Sequence, residues 1–335
     1  MLNRSPKVGI VGATGAVGQE MLDVIARRKF PFSELRLLAS ARSAGRPLKF
    51  GQGELVVSPL HVDSLQGLDL VLFSAGASIS HEYAPLALDA GAIVIDNSSA
   101  FRMHDHVPLV IPEINPDAVR NHSGIIANPN CTTAVALMAL APLHRAFGLR
   151  RVVASSYQAV SGAGLRAMDE LTVQTKRCLK KQNPEPEVFK HQIAFNVIPH
   201  IDAFEPNCYT REEMKFQNEG RKILDLPGLR ASITCVRVPV YRAHSVAMHA
   251  EFEREPSIDA ARAALEEFPG VRLWDDPDVN HYPMPVDCAG KDDCYVGRLR
   301  TDTALDNGLA LWVCGDQILK GAALNAIQIA ELLIK

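Results

Sequence analysis

The sequence contains no long apolar run and no excess of one charge. Its longest apolar stretches, such as Ala134–Leu143, are too short to span a bilayer. Lysine and arginine number 35, aspartate and glutamate number 38, and the net charge is −3. A chain so close to neutral has no electrostatic reason to bind nucleic acid or an anionic membrane. We therefore expect neither kind of partner.

The cysteines also lack the spacing of a known disulfide framework or metal site. The seven cysteines are scattered, odd in number and never spaced as Cys-X-X-Cys. This argues against a disulfide framework or a zinc site and for reduced thiols in a cytoplasm. Cys288 and Cys294 have no matching Cys/His pair nearby and are interpreted as structural. The first residues lead almost directly into a predicted strand and show no signal peptide. We expect a cytoplasmic protein with no bound metal.

The first part of the chain alternates between strand and helix patterns. The chain has 335 residues, which is long enough for two domains. Its composition, 47% hydrophobic and 22% charged, is typical of a globular protein. Alternation of this kind is typical of an open α/β sheet with right-handed crossovers. The predicted strands are 7–13, 34–40, 68–76 and 92–99, and the predicted helices are 16–28 and 81–91. On the first helix, one face carries Val17, Met21, Leu22, Val24 and Ile25.

A different pattern begins near Arg150 and indicates an α+β second domain. A Pro-rich, aperiodic stretch at 182–202 follows a predicted helix at 165–181. The predicted strands are 150–160, 232–240, 244–253, 294–302 and 308–316. The final amphipathic helix, 317–335, has no partner of its own, and we expect it to pack on the first domain. The prediction is an N-terminal Rossmann-type, doubly wound domain of 1–130 plus 317–335, and a C-terminal α+β domain of 131–316.

A glycine-rich loop follows the first predicted strand and opens the first helix. It reads GATGAVG, residues 12–18. Glycines here allow a tight turn and a close approach of the backbone to a pyrophosphate at the helix N-terminus. The spacing is GxxGxxG and not the usual GxGxxG, but the context favours dinucleotide binding over a simple turn. The candidate cofactor contacts are Gly12, Ala13, Thr14, Gly15, Ala16, Val17 and Gly18.

The end of the second predicted strand bears on which dinucleotide binds. It reads LLASARSAGR, residues 37–46. An NAD site usually has an acidic residue here for the ribose 2′-hydroxyl. This chain has none, and an arginine with hydroxyl groups suits a 2′-phosphate. NADP is therefore favoured over NAD, with candidate contacts at Ser40, Ala41, Arg42 and Ser43. For Arg46, a solvated side chain on a loop remains a plausible alternative.

Cys131 lies between an Asn-Pro-Asn turn and an apolar helical run, in NPNCTTAVALMALAPL. A thiol at a helix N-terminus has a lowered pKa and is a candidate nucleophile. Thr132 and Thr133 can satisfy N–H groups of the first turn. The turn by itself fits a buried structural cysteine almost as well. Together with a nicotinamide site, the thiolate could attack an aldehyde, the resulting thiohemiacetal could give hydride to NADP, and a thioester would remain.

A nucleophilic cysteine needs a base, and His244 is the candidate among eleven histidines. It follows a predicted strand that carries Arg237, in RVPVYRAHS. An arginine at a strand end and a histidine on the next turn can hold a carboxylate and a proton carrier in one cleft. The spacing alone does not establish that arrangement.

Taken together, these motifs resemble the aspartate-semialdehyde dehydrogenase family over residues 7 to 334. They occur in the family's order: GATGAVG, LASARSAG, IDNSSAFRM, NPNCTT, YQAVSGAG, FNVIPHID, REEMK, RVPVYRAHS and KGAALNAIQIAELL. Glyceraldehyde-phosphate dehydrogenases share Cys-Thr-Thr but not this turn or loop. Acetylglutamyl-phosphate reductases typically carry an NPGCY-type turn.

The resemblance implies a reaction and a role for each residue. L-Aspartyl 4-phosphate and NADPH would give L-aspartate 4-semialdehyde, NADP and phosphate, reversibly, in lysine, threonine, methionine and diaminopimelate biosynthesis. The implied catalytic residues are Cys131 as nucleophile, His244 as general acid/base and Gln158, which orients the intermediate. For the substrate, Arg237 would bind the carboxylate, Glu212 the ammonium, and Arg102, Lys215 and Asn130 the phosphate. Ser161, Gly162 and Gln317 would contact the cofactor, Gln317 in place of the family's usual asparagine.

Other interpretations stay open at this level. Glu212 and Lys215, three residues apart on a predicted helix, also fit an exposed ion pair of little energetic value. A related acyl-phosphate or acyl-thioester reductase of the same fold is an alternative, although an amine-free substrate would not need Glu212. An inactive binding or regulatory paralogue would have lost the cysteine, glutamine, arginine or histidine. The resemblance also implies a homodimer, with the apolar strands at 232–253 and 308–316 in the interface.

Overall fold

The structure, a computed structural model, describes Leu2 and residues 4–334 and divides into two units. One unit runs as far as Asn130 and resumes at Ala322. The other unit is Cys131–Gly321. Residues 317–321, which the sequence pattern assigns to the first domain, therefore lie in the second unit.

Six parallel strands form the main sheet of the first unit, in the order β5-β2-β1-β6-β7-β8. The elements are β1 (Lys7–Val11), α1 (Ala16–Arg28), β2 (Glu34–Ala39), β3 (Pro47–Phe50), β4 (Gly53–Val56), β5 (Ser58–Pro59), β6 (Leu70–Phe73), α2 (Ala77–Asp89), β7 (Ile93–Asp96) and β8 (Ile125–Ala127). This order reverses between β1 and β6, as in the doubly wound dinucleotide-binding fold. The predicted Rossmann-type architecture is confirmed. Strands β3 and β4 pair separately as a hairpin.

Helix α1 buries its apolar face and contacts the last helix of the chain and β3. Met21, Leu22, Val24 and Ile25 are buried as predicted, whereas Val17 near the start of the helix is only half-buried. Every residue of β6 is buried, as expected of a parallel strand covered on both faces. Because Val11 of β1 pairs with Leu38 of β2, the carboxyl ends of these strands are neighbours. The two loops that follow them are thereby brought to the same edge of the sheet.

A mixed six-stranded sheet forms the core of the second unit, in the order β10-β9-β11-β14-β13-β12. The elements are α3 (Cys131–Phe147), β9 (Leu149–Gln158), α4 (Leu165–Leu179), α5 (Arg211–Ile223), β10 (Arg230–Arg237), β11 (His244–Phe252), α6 (Ile258–Glu266), β12 (Val271–Leu273), α7 (Pro285–Cys288), β13 (Cys294–Thr301) and β14 (Gly308–Gly315). Helix α3 packs against β9, β11 and β14, helix α5 against β10, and helix α6 against β12 and β13. Strands and helices therefore mix in this unit as predicted.

The other face of the second sheet carries exposed apolar side chains. Val153 and Tyr157 of β9 are 50% and 37% exposed. The Tyr157 ring contacts the half-buried Trp312 of β14, with centroids 5.2 Å apart. Side chains of a strand alternate between the two faces of a sheet, so these residues share the face opposite α3. This surface, which we call the open face, is defined by Val153, Tyr157 and Trp312.

The last helix begins later than its sequence pattern predicts. A π-helical turn occupies Leu319–Ala323, and the α-helix α8 covers Leu324–Leu333. The carboxylate of Asp316 accepts the N–H groups of Ile318 and Leu319, and the N–H of Gly321 reaches back five residues to the carbonyl of Asp316. These bonds widen the first turn. Lys335, the last predicted helical residue, lies outside the described residues.

Helix α8 belongs to the first unit. It packs on α1, and Arg28 forms a bidentate ion pair with Glu331 at 2.7 Å for both hydrogen bonds. Helix α2 begins four residues earlier than predicted, after Gly76. Within the described residues, no helix is both long and apolar enough to cross a membrane.

Candidate active site

The glycine loop closes tightly between β1 and α1. Gly12 has a positive φ of 87°, a conformation that favours glycine. A Cβ at Gly18 would lie 2.3 Å from the carbonyl oxygen of Gly12, so only glycine fits there. The N-cap of α1 is Gly15, which provides no side-chain hydrogen bond, and the first turn has no acidic residue. An uncapped helix N-terminus without negative charge suits a pyrophosphate.

The turn after β2 has the composition of a 2′-phosphate site. Residues Ala41–Ser43 form a 3₁₀ turn directly after Ser40, and Arg42 is exposed. The N–H groups of Gly12 and Ala13 both donate to the carbonyl of Leu38 in β2, so this turn and the glycine loop are held close together. The residues present therefore fit a dinucleotide that carries an extra phosphate.

Arg102 and the Asn-Pro-Asn turn form a buried arrangement in the first unit. The Nε of Arg102 donates to the carbonyl of Asn128, and Nη2 donates to that of Asn97, both at 2.8 Å. Asn325 of α8 donates to the Asn128 side chain at 2.7 Å. Asn130, directly before Cys131, is also buried. The turn is thus fixed by side chains that are distant in sequence.

Cys131 is the first residue of α3 and is half-buried. The positive end of the helix favours its thiolate form. Gly321 packs directly against it, because a Cβ at Gly321 would lie 2.7 Å from the Cβ of Cys131. The sequence analysis missed Gly321, although a glycine inside a helical pattern is a known signal of close packing.

Gln158, at the end of β9, connects α3, the helix that begins at Cys131, to α5. Its Nε2 donates to Thr132 Oγ1 at 2.5 Å and to Glu212 Oε1 at 3.0 Å, and the residue is 1% exposed. Its Oε1 accepts from Ser156 at 3.3 Å. The amide is therefore held in one orientation, next to the residue that follows Cys131.

His244, the first residue of β11, is fully buried. Its Nδ1 accepts the backbone N–H of Ala159 at 3.0 Å. A nitrogen that accepts a hydrogen bond carries no proton, so the neutral ring is protonated on Nε2. Burial, reinforced by the charge of Arg237, lowers the pKa of His244 to about 3. His244 is therefore a neutral ring that presents an Nε2–H donor, and this buried nitrogen has no hydrogen-bond partner among the described residues.

Arg237 ends β10 beside this histidine and is 6% exposed. Its Nη1 donates to the carbonyl of Ala159 at 2.7 Å, so Ala159 contacts both functional side chains through its backbone. Burial lowers the pKa of Arg237, while Glu212 and the thiolate of Cys131 act in the opposite direction. A Cβ at Gly162 would lie 2.9 Å from Nη1 of Arg237 and 3.2 Å from Nε2 of His244. Gly162 therefore borders the side chains of both Arg237 and His244.

Glu212 and Lys215 form a partly buried ion pair, not the exposed one that the sequence left open. Their side chains are 8% and 22% exposed, and Nζ lies 2.9 Å from the carboxylate. Asp202 is a second partner at 2.9 Å. Burial alone would lower the pKa of Lys215, but Glu212 and Asp202 outweigh it and raise that pKa. A capping box between Thr210 and Glu213 starts α5 and fixes the turn that carries Glu212.

Gln317 bonds to two segments of the second unit. Its Oε1 accepts the N–H of Ala243 at 2.9 Å, and its Nε2 donates to Ser161 Oγ. The neighbouring Asp316, fully buried, accepts from Arg242 and from the N–H of Gly290. The extra methylene of Gln317 lets one amide join the turn before His244 to the loop at Ser161. The sequence motifs alone gave Asp316 no role.

These features define a class of protein, a dinucleotide-dependent dehydrogenase with a cysteine at the N-terminus of a helix. The first unit supplies a dinucleotide-binding sheet and loop, and the second supplies a helix-N-terminal cysteine, an oriented glutamine and a buried His–Arg pair. Family models match both parts: semialdehyde dehydrogenase, NAD binding domain, over residues 7–122, and semialdehyde dehydrogenase, dimerisation domain, over residues 140–320. The chain belongs to the semialdehyde dehydrogenase family, as its sequence motifs predict.

Individual relatives agree over nearly the whole chain. The aspartate-semialdehyde dehydrogenase of Synechocystis is 50% identical over 98% of this chain and 97% of its own length. That of Bacillus subtilis is 49% identical over 100% and 99%. A crystal structure of aspartate semialdehyde dehydrogenase II from Vibrio cholerae, complexed with ASA, has a TM-score of 0.94 and 44% identity, with 98% of each chain covered.

Proposed function

We propose that this chain catalyses the reversible, NADPH-dependent reductive dephosphorylation of L-aspartyl 4-phosphate to L-aspartate 4-semialdehyde. Such a reaction belongs to the biosynthesis of lysine, threonine, methionine and diaminopimelate. The observation that carries the proposal is Gln158, whose amide joins Thr132, the neighbour of the nucleophile, to the buried carboxylate of Glu212. A thiol, an oriented amide and a buried anion are thereby connected within one unit.

In the proposed chemistry, the Cys131 thiolate attacks the carbonyl carbon of the acyl phosphate. The carbon–oxygen bond to phosphate breaks, inorganic phosphate leaves, and a thioester remains on Cys131. Bound NADPH would supply the hydride that reduces this thioester. The carbon–sulfur bond of the resulting hemithioacetal then breaks, which releases the semialdehyde and regenerates the thiolate. The glycine loop, Ser40 to Ser43, Ser161, Gly162 and Gln317 are the proposed cofactor contacts.

Charge complementarity assigns the substrate groups. Arg237 is suited to the α-carboxylate, because a guanidinium can bind both carboxylate oxygens. Glu212, whose carboxylate is buried, is suited to the α-ammonium, and this requirement argues against a reductase of amine-free or N-acetylated substrates. Arg102, Asn130 and Lys215 are proposed for phosphate.

His244 is the proposed acid/base. Because its neutral ring is protonated at Nε2, this N–H is the donor available to the substrate oxygen that gains charge on reduction. A hydrogen bond made mainly when that charge develops accelerates the chemical step.

The decisive experiment is a spectrophotometric assay of NADPH formation from aspartate semialdehyde, phosphate and NADP. We expect turnover that depends on both phosphate and semialdehyde. Turnover only with an N-acetylated glutamate semialdehyde would support the related reductase instead. No turnover with any semialdehyde would support an inactive paralogue.

NADP is expected to be preferred over NAD, because Arg42 is suited to the 2′-phosphate. Arg42→Ala should raise KM for NADP by about tenfold or more, on the scale of a charged hydrogen bond, and leave KM for NAD nearly unchanged. Steady-state kinetics with both cofactors measure this difference. Arg46→Ala, four residues along the same loop, is the matched control. An equal loss for NADP and NAD would show that Arg42 does not touch the 2′-phosphate.

The proposed assembly is a homodimer formed through the open face. The family model that matches 140–320 is described as a dimerisation domain, and large apolar patches on a surface commonly mark interfaces. Sedimentation should show a particle of twice the 36.5 kDa chain mass. Val153→Asp on the open face should shift the particle towards the monomer, whereas Val56→Asp, at a valine of the first unit that is also exposed, should not. A wild-type protein that sediments only as a monomer would refute the dimer.

The proposed location is the cytoplasm. All seven cysteines are free thiols, and the mechanism requires Cys131 to stay reduced, which the cytoplasm favours. The proposed partners are the small-molecule substrate, phosphate and a second copy of this chain.

A further inference from the structure

The guanidinium of Arg237 also rests on an aromatic ring. Its Cζ lies 5.8 Å from the centroid of the Phe189 ring, within the range of a cation–π interaction. Such a contact attracts the cation and occupies none of its N–H donors. A carboxylate in the same place would instead neutralise the charge that the substrate needs. Burial lowers the pKa of Arg237, and Glu212 is the main group that opposes this shift.

Phe189 lies in a stretch with no helix or strand, 182–197, between α4 and α5. Two buried side chains of α4, 6% and 1% exposed, hold this stretch in place. The carboxylate of Glu170 accepts the N–H groups of residues 187 and 188. The Oε1 of Gln174 accepts those of residues 193 and 194. Gln174 also donates to Glu170 at 2.8 Å, so the backbone is fixed on both sides of Phe189.

The far end of the stretch attaches to Arg237 itself. The N–H of Ile198 donates to the carbonyl of Arg237 at 2.9 Å, and the N–H of Arg237 donates to the carbonyl of Ile198 at 2.8 Å. The Phe189 side chain packs against an apolar cluster that includes Val160, Leu171 and Ile193. One segment therefore contacts both the backbone of Arg237 and its guanidinium group.

We propose that Phe189 is a positioning residue that sets the plane of the Arg237 guanidinium for bidentate binding of the substrate carboxylate. The inference rests on the proposed function, which assigns that carboxylate to Arg237. The ring restricts rotation of the guanidinium, and Ala159 holds Nη1 from one edge. Fewer orientations are then lost when the carboxylate binds, so the affinity for the substrate rises.

The test replaces the Phe189 ring with an apolar side chain of similar size that is not aromatic. Phe189→Leu should raise KM for aspartate semialdehyde about three- to tenfold, with kcat and KM for NADP within twofold of wild type. Phe189→Tyr keeps an aromatic ring at this position, and its KM for aspartate semialdehyde should equal that of wild type. Phe189→Met serves in place of the leucine variant if that variant does not fold. Phe204→Leu, at a 63% exposed phenylalanine that stacks on His200, is the matched control.

A double-mutant cycle separates positioning from general packing. Arg237→Lys removes the planar group that the ring orients, so Phe189→Leu should have little further effect on KM in that background. Additive effects of the two changes, or an unchanged KM in Phe189→Leu, would overturn the inference.

Different results would contradict the proposed function itself. Wild-type enzyme without turnover of aspartate semialdehyde, or Arg237→Lys with an unchanged KM, would remove the basis for assigning the carboxylate. Wild-type turnover together with a raised KM in Arg237→Lys and an unchanged KM in Phe189→Leu would overturn only the role of Phe189.

Discussion

Cys131→Ser is expected to fold normally and to lose nearly all turnover, on the order of 10³-fold or more in kcat. The hydroxyl of serine stays protonated at neutral pH, and the helix dipole cannot convert it into an anion as it can the thiol of cysteine. The change keeps Cβ, so the contact with Gly321 is preserved. Stability measured by thermal unfolding should therefore stay close to that of wild type.

The measurement is NADPH formation from the semialdehyde, combined with intact-mass analysis of the enzyme. Wild-type protein given semialdehyde and NADP without phosphate should accumulate an acyl adduct, and Cys131→Ser should not. Cys208→Ser, at an exposed thiol, is the matched control and should behave as wild type. Near-wild-type rates in Cys131→Ser would show that another residue is the nucleophile.

His244→Asn is expected to lower kcat by roughly 10²–10⁴-fold, the usual scale for a lost acid/base group, with little change in KM. Asparagine is shorter, so its side chain cannot place an N–H donor where the buried Nε2–H of His244 lies. The contribution of His244 is made as charge develops in the reaction, whereas Arg237 binds the carboxylate in ground and transition states alike. Arg237→Lys should therefore mainly raise KM, the opposite pattern.

The pH dependence gives a second measurement on the same variant. A group with a pKa lowered to about 3 is neutral throughout pH 5 to 9, so protonation of His244 should produce no limb of the kcat profile in that range. His244→Asn should then lower kcat by the same factor at every pH, and His281→Asn, at an exposed histidine, should not lower it. A limb between pH 5 and 8 that disappears in His244→Asn would show that the ring titrates there. A raised KM with an unchanged kcat would reverse the roles of His244 and Arg237.

Local patterns predicted most of the secondary structure because its signals are short-range. The strand–loop–helix pattern around GATGAVG predicted β1 and α1, and α1 covers the predicted residues, Ala16–Arg28. The last helix was placed too early because its apolar spacing continues through residues 317–323. Only the backbone bonds to Asp316 show that this part is a π-helical turn.

The sequence by itself determined the family, the dinucleotide-binding fold and the proposed chemical groups. These follow from motifs in which neighbouring residues act together, such as the glycine loop and the Asn-Pro-Asn-Cys turn.

Only the tertiary structure decided how those groups are held. The proton position on His244 depends on the N–H of Ala159, 85 residues away. The burial of the Glu212–Lys215 pair depends on how α5 packs, and the contact of Phe189 with Arg237 depends on two side chains of α4. Hydrogen bonds and burial between distant segments leave no periodic signal in the chain, because each depends on the folded position of both partners.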